Sequence, residues 1–600
     1  MEKRALLALV LSLLVFLIYQ FFFVPERKPR PPKSTPATEQ PAQALPVPTP
    51  QKGLPAPSAA PTAPVPTLQR PPAHAPRDVV VETPLYRAVF TETGGRLKSL
   101  GLKQYRETIA KDSPPKELVR IRQADELPLA FNFASHPVAG LDVAQYAADQ
   151  TSLVVDPADG SKKLMFTYQV PGWLRIVREY QFYPNTYCMD LTIRVANLGS
   201  QVWEDAPAVS LVNIPFSPHE RGGYNFNGPA LLVGGKLDEV AFKDIQTGRR
   251  STGVTDWIVS IFSGGRPDRK APEGELRFPG TIDWIAYTSQ HFTMALVPEG
   301  LVPNLAQVKV LNPATEMVET TFVGPTLTIE PNAQHELQFK IYTGPKEIEA
   351  LKAAHAKLEK AINFGWFDVI AQPLLLCLKF FYRYIHNYGV AIIILTVLIK
   401  LLFWPLTNKS FASMQAMKKV QPMMQKIREK YKDDPQRMNQ EIMQLYRTQK
   451  VNPFGGCLPM VLQIPVFFAL YKVLNSSIAM RHAPFLWWIN DLSAPDRLPV
   501  GFNIPYVGGL PVLTLLMGAS MFIQQKMTPM TGDPRQAKLM LLMPVVFTFM
   551  FVNFPSGLTL YWFVNNILSI GQQYLLNRKT DQSGGQVTGG KARARTGAPQ

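Results

Sequence analysis

The sequence predicts a polytopic α-helical membrane protein, six spans in all, that also carries a large antiparallel β-sandwich. Three observations predict it. Six apolar segments occur, five of them after residue 387; residues 78–344 alternate β-branched and aromatic with polar residues; and basic residues cluster beside the apolar runs. The 600-residue length calls for more than one folded unit. A net charge of +17, concentrated near apolar segments, reads as topology signals and contact with membrane lipids. No basic stripe with interleaved aromatics appears, which speaks against DNA as a partner. Cys188, Cys377 and Cys457 lie far apart, which argues against a disulfide framework and a Cys-based metal site. No cofactor is predicted, and no G-x-x-x-x-G-K-[ST] nucleotide pattern occurs.

Taken in order, residues 1–24 form an anchor. Their apolar run, 5–24, has the roughly 20 residues needed to span a bilayer. Lys3 and Arg4 ahead of it place the N-terminus in the cytoplasm. Its exit, FFFVPERK, lacks an A-x-A-like site and a lipid-acceptor cysteine, so the anchor stays uncleaved. Residues 25–77 are rich in Pro and Ala, cannot bury enough apolar surface to fold, and read as an extended disordered tether.

The β domain occupies 78–344. LVVDPADGSKKLMFTYQV reads as two strands around a Pro-Ala-Asp-Gly turn, and REYQFYPNTYCMDLTIRV repeats the pattern around Pro-Asn. Its histidines, His136, His219, His291 and His335, show no metal-ligand spacing, and His219-Glu220 is the only local acid/base pair. That pair suits a solvated loop at least as well as catalysis. Residues 345–387 connect the domains through amphipathic helices, with Lys379, Arg383 and His386 spaced for one helix face, as in a helix lying in the interface.

Five apolar segments follow within 388–578, at 388–406, 458–475, 507–525, 539–554 and 557–576. Placing 407–450, 526–538 and the basic tail 579–600 in the cytoplasm satisfies the positive-inside tendency. Both termini are then cytoplasmic, residues 25–387 lie largely outside, and Trp487 and Trp488 fall at the outer interface, where tryptophan is favoured.

Within AIIILTVLIKLLFWPL the one charge is Lys400, about 18 Å into a helix that starts after Asn387. A lysine stem can snorkel to the headgroups. Polar company favours the other reading, a hydrated groove. Thr396 lies one turn before Lys400, Gln463 is mid-span in the next segment, and Asn565 and Asn566 lie inside the last. Intramembrane polar groups face a bundle interior or a wet cavity rather than lipid. Residues 407–450 read as a helical hairpin. One arm carries Met414, Met417, Met424 and Ile427, the other Met438 and Ile442, with Asp434 as N-cap and Pro435 at the first helical position. The two stripes can pack on each other or offer an adaptable methionine surface for substrate capture. The hairpin's lysines and arginines leave lipid headgroups, substrate and ribosomal RNA open as contacts.

The stretch TVLIKLLFWPLTNKSFASMQAMKKVQPMMQKIREKYKDDPQRMNQEIMQLYRTQKVNPFGGCLPMVLQIPVFFALYKVL, with FPSGLTLYWFVNN later, resembles the YidC membrane protein insertase family. The resemblance covers about 345–578 strongly, and the plan of a large β domain after the first span is similar to that of Gram-negative members. It implies an inner-membrane chaperone and insertase, not an enzyme, with a five-helix core around a hydrophilic groove. Lys400 matches a groove position where arginine is usual, Thr396 matches another, and Tyr561-Trp562 match an aromatic pair beside the substrate path, where tyrosine is common at the second place. The implied partners are nascent membrane proteins, the Sec translocon and membrane lipids, with the ribosome, and any contact of the basic tail with it, left open. Two rivals remain at this point: a membrane-anchored periplasmic carbohydrate-active or carbohydrate-binding sandwich, and a transporter, for which no internal repeat is seen.

Overall fold

The computed structural model describes residues 75–589 apart from 218–225, 249–273, 301, 365–366, 453–457, 503, 505–506 and 528–533. The N-terminal anchor, all but the end of the tether, the His219-Glu220 pair, most of the NPFGGCLP run and the last residues of the tail lie outside the described residues.

Residues 78–345 build stacked sheets around one apolar core. The central sheet has nine strands among the described residues. Its middle runs Ile282–Thr288, Phe292–Glu299, Gln334–Pro345, Cys188–Asn197, Leu174–Phe182 and Lys162–Val170, all antiparallel. The Pro-Asn turn joins its strands as expected, with Leu191 opposite Tyr180 and Met189 opposite Phe182. The two strands expected around Pro-Ala-Asp-Gly also form, without pairing with each other. Ser152–Val154 and Lys162–Val170 are both strands, but the first pairs in parallel with Asp78–Glu82 in a different, five-stranded sheet. The Pro157–Asp159 turn carries the chain from one sheet to the other. A turn signal fixes a reversal of direction, and the partner is chosen by which apolar faces can be covered. Leu164 and Phe166 are covered by burial beside Tyr180.

Among the described residues two guanidinium groups are sealed in this domain. Arg178 donates to Gly94 O (2.7 Å), Leu129 O (2.7 Å) and Tyr180 Oη (2.8 Å). Arg96 donates to Asp142 O at 3.1 Å, and burial together with Arg178 pushes its pKa down to about 10. Carbonyls bridged this way tie separate strands and loops to one point.

The helical region begins with α1 (Ile348–Ala353), α2 (Asp368–Ile385) and α3 (Tyr388–Lys430). It continues with α4 (Pro435–Thr448), α5 (Leu458–Ser476), α6 (Val512–Met527), α7 (Pro534–Phe551) and α8 (Ser556–Gly589). Helix α2 ends before His386, whose backbone is left-handed (φ 56°), so His386 leaves the face expected to hold it with Lys379 and Arg383. Lys379 reaches back to Glu349 at 2.8 Å. On α2, Ala371, Leu375 and Leu378 are buried, while Val369, Leu376, Phe380 and Tyr384 are exposed.

Helix α3 starts where Asn387 accepts a hydrogen bond from Val390 N and runs 43 residues, about 64 Å at the usual rise. That is twice a bilayer's hydrocarbon thickness. The apolar segment and the first hairpin arm are therefore one continuous helix. Among the described residues α3 alone is long and apolar enough to cross a membrane by itself; Val461–Ser476 and Leu541–Phe551 are shorter apolar helices.

The two regions are clamped together. Gln290 donates to Asn475 O (2.7 Å), and Arg481 donates to Arg106 O (2.7 Å) and Glu107 O (3.1 Å) while lying over the Phe292 ring. Ile478 belongs to the β-domain core. His291, buried in this clamp, has its pKa pushed down to about 3 by burial and by the cations Arg481 and Lys346.

Candidate functional site

Helices α3, α5 and α8 line a small, partly open cavity of about 20 Å³. Its polar lining is Lys400, Thr407, Gln463 and Asn565, and its apolar walls include Ile399, Phe403 and Leu462. Three residues singled out from sequence, Lys400, Gln463 and Asn565, thus meet at one place. The half-buried Lys400 does not run on towards the hairpin. Its Nζ donates to Ser569 Oγ at 2.6 Å, and Ser569 Oγ donates to Asn565 O at 2.7 Å. No carboxylate among the described residues lies within ion-pair distance of Lys400.

The other expected groove residues sit elsewhere. Thr396 is buried and its hydroxyl donates to Ile392 O at 2.7 Å, so it satisfies itself within its own helix. Tyr561 is buried behind the cavity, where its Oη receives a long 3.4 Å bond from Gln463 Nε2. Trp562 packs edge-on against Phe467 and Phe551 rather than lining the cavity. Asn566 turns away to α6 and donates to Ser520 Oγ at 3.0 Å. Adjacent residues on a helix are about 100° apart, so Asn565 and Asn566 cannot share one face.

Two residues that sequence reasoning passed over belong to the site, Thr407 and Ser569. Each has a helical signal: Thr407 is seven residues after Lys400, and Ser569 is four after Asn565. Below the cavity the polar seam between α3 and α8 continues, with Gln572 donating to Asn408 Oδ1 (2.9 Å) and Gln415 to Asn577 Oδ1 (3.0 Å).

The hairpin arms pack on each other. Met417, Val420 and Met424 are buried against Ile442, Leu445 and Tyr446, while Met414, Ile427 and Met438 are half-buried. The exposed methionines are Met423 and Met443. Asp434 caps α4, accepting from Arg437 N at 3.0 Å with Pro435 first in the helix. Among the described residues no cluster of three His, Cys, Asp or Glu could hold a metal.

Residues 78–377 match the family model described as the YidC periplasmic domain, and 380–583 match that of the 60Kd inner membrane protein. A membrane protein insertase YidC of Syntrophobacter fumaroxidans is 43% identical over 96% of this chain and 100% of its own. One from Syntrophus aciditrophicus is 42% identical over the same shares. A crystal structure of an active YidC insertase covers 83% of this chain and 92% of its own, with 18% identity and a TM-score of 0.34.

Proposed function

This chain belongs to the YidC family of membrane protein insertases, and we propose that it inserts nascent membrane proteins by way of the cavity around Lys400. The observation that carries the proposal is a lysine held beside a polar cavity, inside an apolar helix, with no carboxylate of its own among the described residues. An incoming segment must take its polar residues across hydrocarbon, where each charge at the centre costs about 2.5–3.5 kcal/mol. An ammonium and a carboxylate 4 Å apart attract by about 4 kcal/mol at an effective dielectric constant of 20. The two magnitudes are comparable. Lys400 can therefore offset one acidic residue's entry without trapping it. Gln463, Asn565 and Thr407 would solvate the backbone of that segment. Its apolar span would then leave sideways into lipid, where some 20 apolar residues contribute several kcal/mol, enough to drive the step.

In this reading the chain crosses the inner membrane six times with both termini in the cytoplasm. Helices α3, α5, α6, α7 and the first part of α8 form a five-helix core, and the β domain is periplasmic. The α3–α4 hairpin meets the substrate first, through Met423 and Met443 at its exposed surface rather than through the methionines packed inside it. The Sec translocon and the ribosome are the chain's further partners in this reading.

The test uses the purified full chain in proteoliposomes with a small single-span substrate whose translocated segment is acidic. Insertion is compared for the native chain, Lys400→Arg, Lys400→Ala and Lys400→Glu at matched protein levels. Retention by Arg with loss in Ala and Glu supports the proposal. Equal insertion by all four overturns the role of the charge.

A further inference from the structure

We propose that Ser569 is a positioning residue for insertion: its hydroxyl holds the Lys400 ammonium against the cavity wall and so sets where a substrate carboxylate docks. The inference rests on the reading of Lys400 given under Proposed function.

The geometry starts from hydroxyl chemistry. A serine hydroxyl has one proton to donate. Ser569 gives it to Asn565 O, one turn back on the same helix, at 2.7 Å. Towards Lys400, 2.6 Å away, it can then only accept. Its orientation is set before the lysine arrives. The ammonium has three donors and spends one on this bond, leaving two for a ligand in the cavity that Lys400 lines.

Depth supports the same assignment. The starts of α3 and α8 are both tied to the segment between α5 and α6, Asn387 donating to Phe485 O and Ser556 to Asp491 O. Counted from Tyr388 and from Ser556, Lys400 and Ser569 lie at about 18 and 20 Å along their helices. The bond therefore joins two helices at one level. A lysine left to itself would extend its flexible stem to the headgroups. Ser569, only 5% exposed, offers it a buried alternative at cavity depth. Without the hydroxyl the charge would remain on α3, but its position would spread over many rotamers.

The experiment uses the full chain in proteoliposomes and two single-span substrates, identical except that the translocated segment is acidic in one and neutral in the other. Four variants are compared: Ser569→Ala, Ser569→Thr, Lys400→Ala, and Ser569→Ala with Lys400→Ala. Hydrogen bonds to charged groups are strong enough that Ser569→Ala should slow insertion of the acidic substrate roughly tenfold. Insertion of the neutral substrate should change by less than about twofold, and Ser569→Thr should restore the acidic one. In the Lys400→Ala background, Ser569→Ala should add nothing, because there is no ammonium left to place. Equal losses for both substrates, or a further loss in the Lys400→Ala background, would make Ser569 a packing residue and overturn the inference. Native-like insertion by Ser569→Ala while Lys400→Ala fails would overturn it and leave the role of Lys400 standing. Native-like insertion by Lys400→Ala would overturn both.

Discussion

Arg178 in the β domain and Lys400 in the helical core are both cations held inside the protein, and they are held in opposite ways. Arg178 is 1% exposed and makes three hydrogen bonds to groups from three parts of the chain. Lys400 is half-buried and makes one, to a single hydroxyl, with a cavity on its other side. A buried charge needs compensation, and bonds to several separate parts of the chain make it a structural pin. Partial compensation beside open space leaves donors for something that comes and goes. The same principle separates a residue that stabilises from one that works.

That contrast can be broken most directly at Arg178. Arg178→Leu should strand the carbonyls of Gly94 and Leu129 and destabilise the β domain by about 1–3 kcal/mol for each, the usual cost of a buried acceptor left without its donor. Chemical denaturation of the detergent-solubilised chain, followed by its β-sheet circular dichroism, measures it. A loss below about 1 kcal/mol would mean that Arg178 is no pin.

His291 sharpens the comparison, since it is an ionisable group the β domain keeps neutral. Its folded pKa, about 3, lies below the ordinary value of 6.5, because burial, the facing cations Arg481, Lys346 and Lys116, and the titratable His482 beside them oppose its charging. The neutral form's stability is complete above pH 6.5 and is lost as pH falls towards 3, by at most about 1.4 kcal/mol per pH unit. Melting curves between pH 7 and 4 should show this slope, and His291→Gln should flatten it.

At Lys400 the contrast predicts a separation of stability from activity. Lys400→Met should change the melting transition by less than about 1 kcal/mol, since the removed charge had a single neutral partner. Insertion of an acidic substrate should nonetheless fall about tenfold, as expected from losing one charge-assisted contact. A large stability change with unaltered insertion would place Lys400 beside Arg178 as a pin. The smallest effect is expected in the hairpin, where Asp434→Ala removes a cap worth about 1 kcal/mol and should fray the start of α4, measurable as faster amide exchange at Arg437 and Met438.

How far the sequence reached depended on distance along the chain. The cap at Asp434 and the turn at Pro-Asn were legible because their chemistry is contained within a few residues. The hairpin stripes were legible as stripes, yet which methionines they would bury awaited the packing of α4 on α3. The strand Ser152–Val154 was legible as a strand and not as a neighbour of Asp78–Glu82, some 70 residues before it.

The candidate site divides the same way. Hydropathy and charge are properties of consecutive residues, so the sequence by itself determined the apolar segments and the presence of a cation, Lys400, inside one of them. Whether that cation snorkels or stays is a matter of what lies across from it. Ser569, 169 residues further on, meets it only because two helices anchored to the same segment run side by side to the same depth. Asn565 and Asn566 look alike in sequence, and a turn of about 100° sends one to the cavity and the other to Ser520. Such choices are made by tertiary packing, because a side chain's partner is set by which helix faces it, and no local pattern records that.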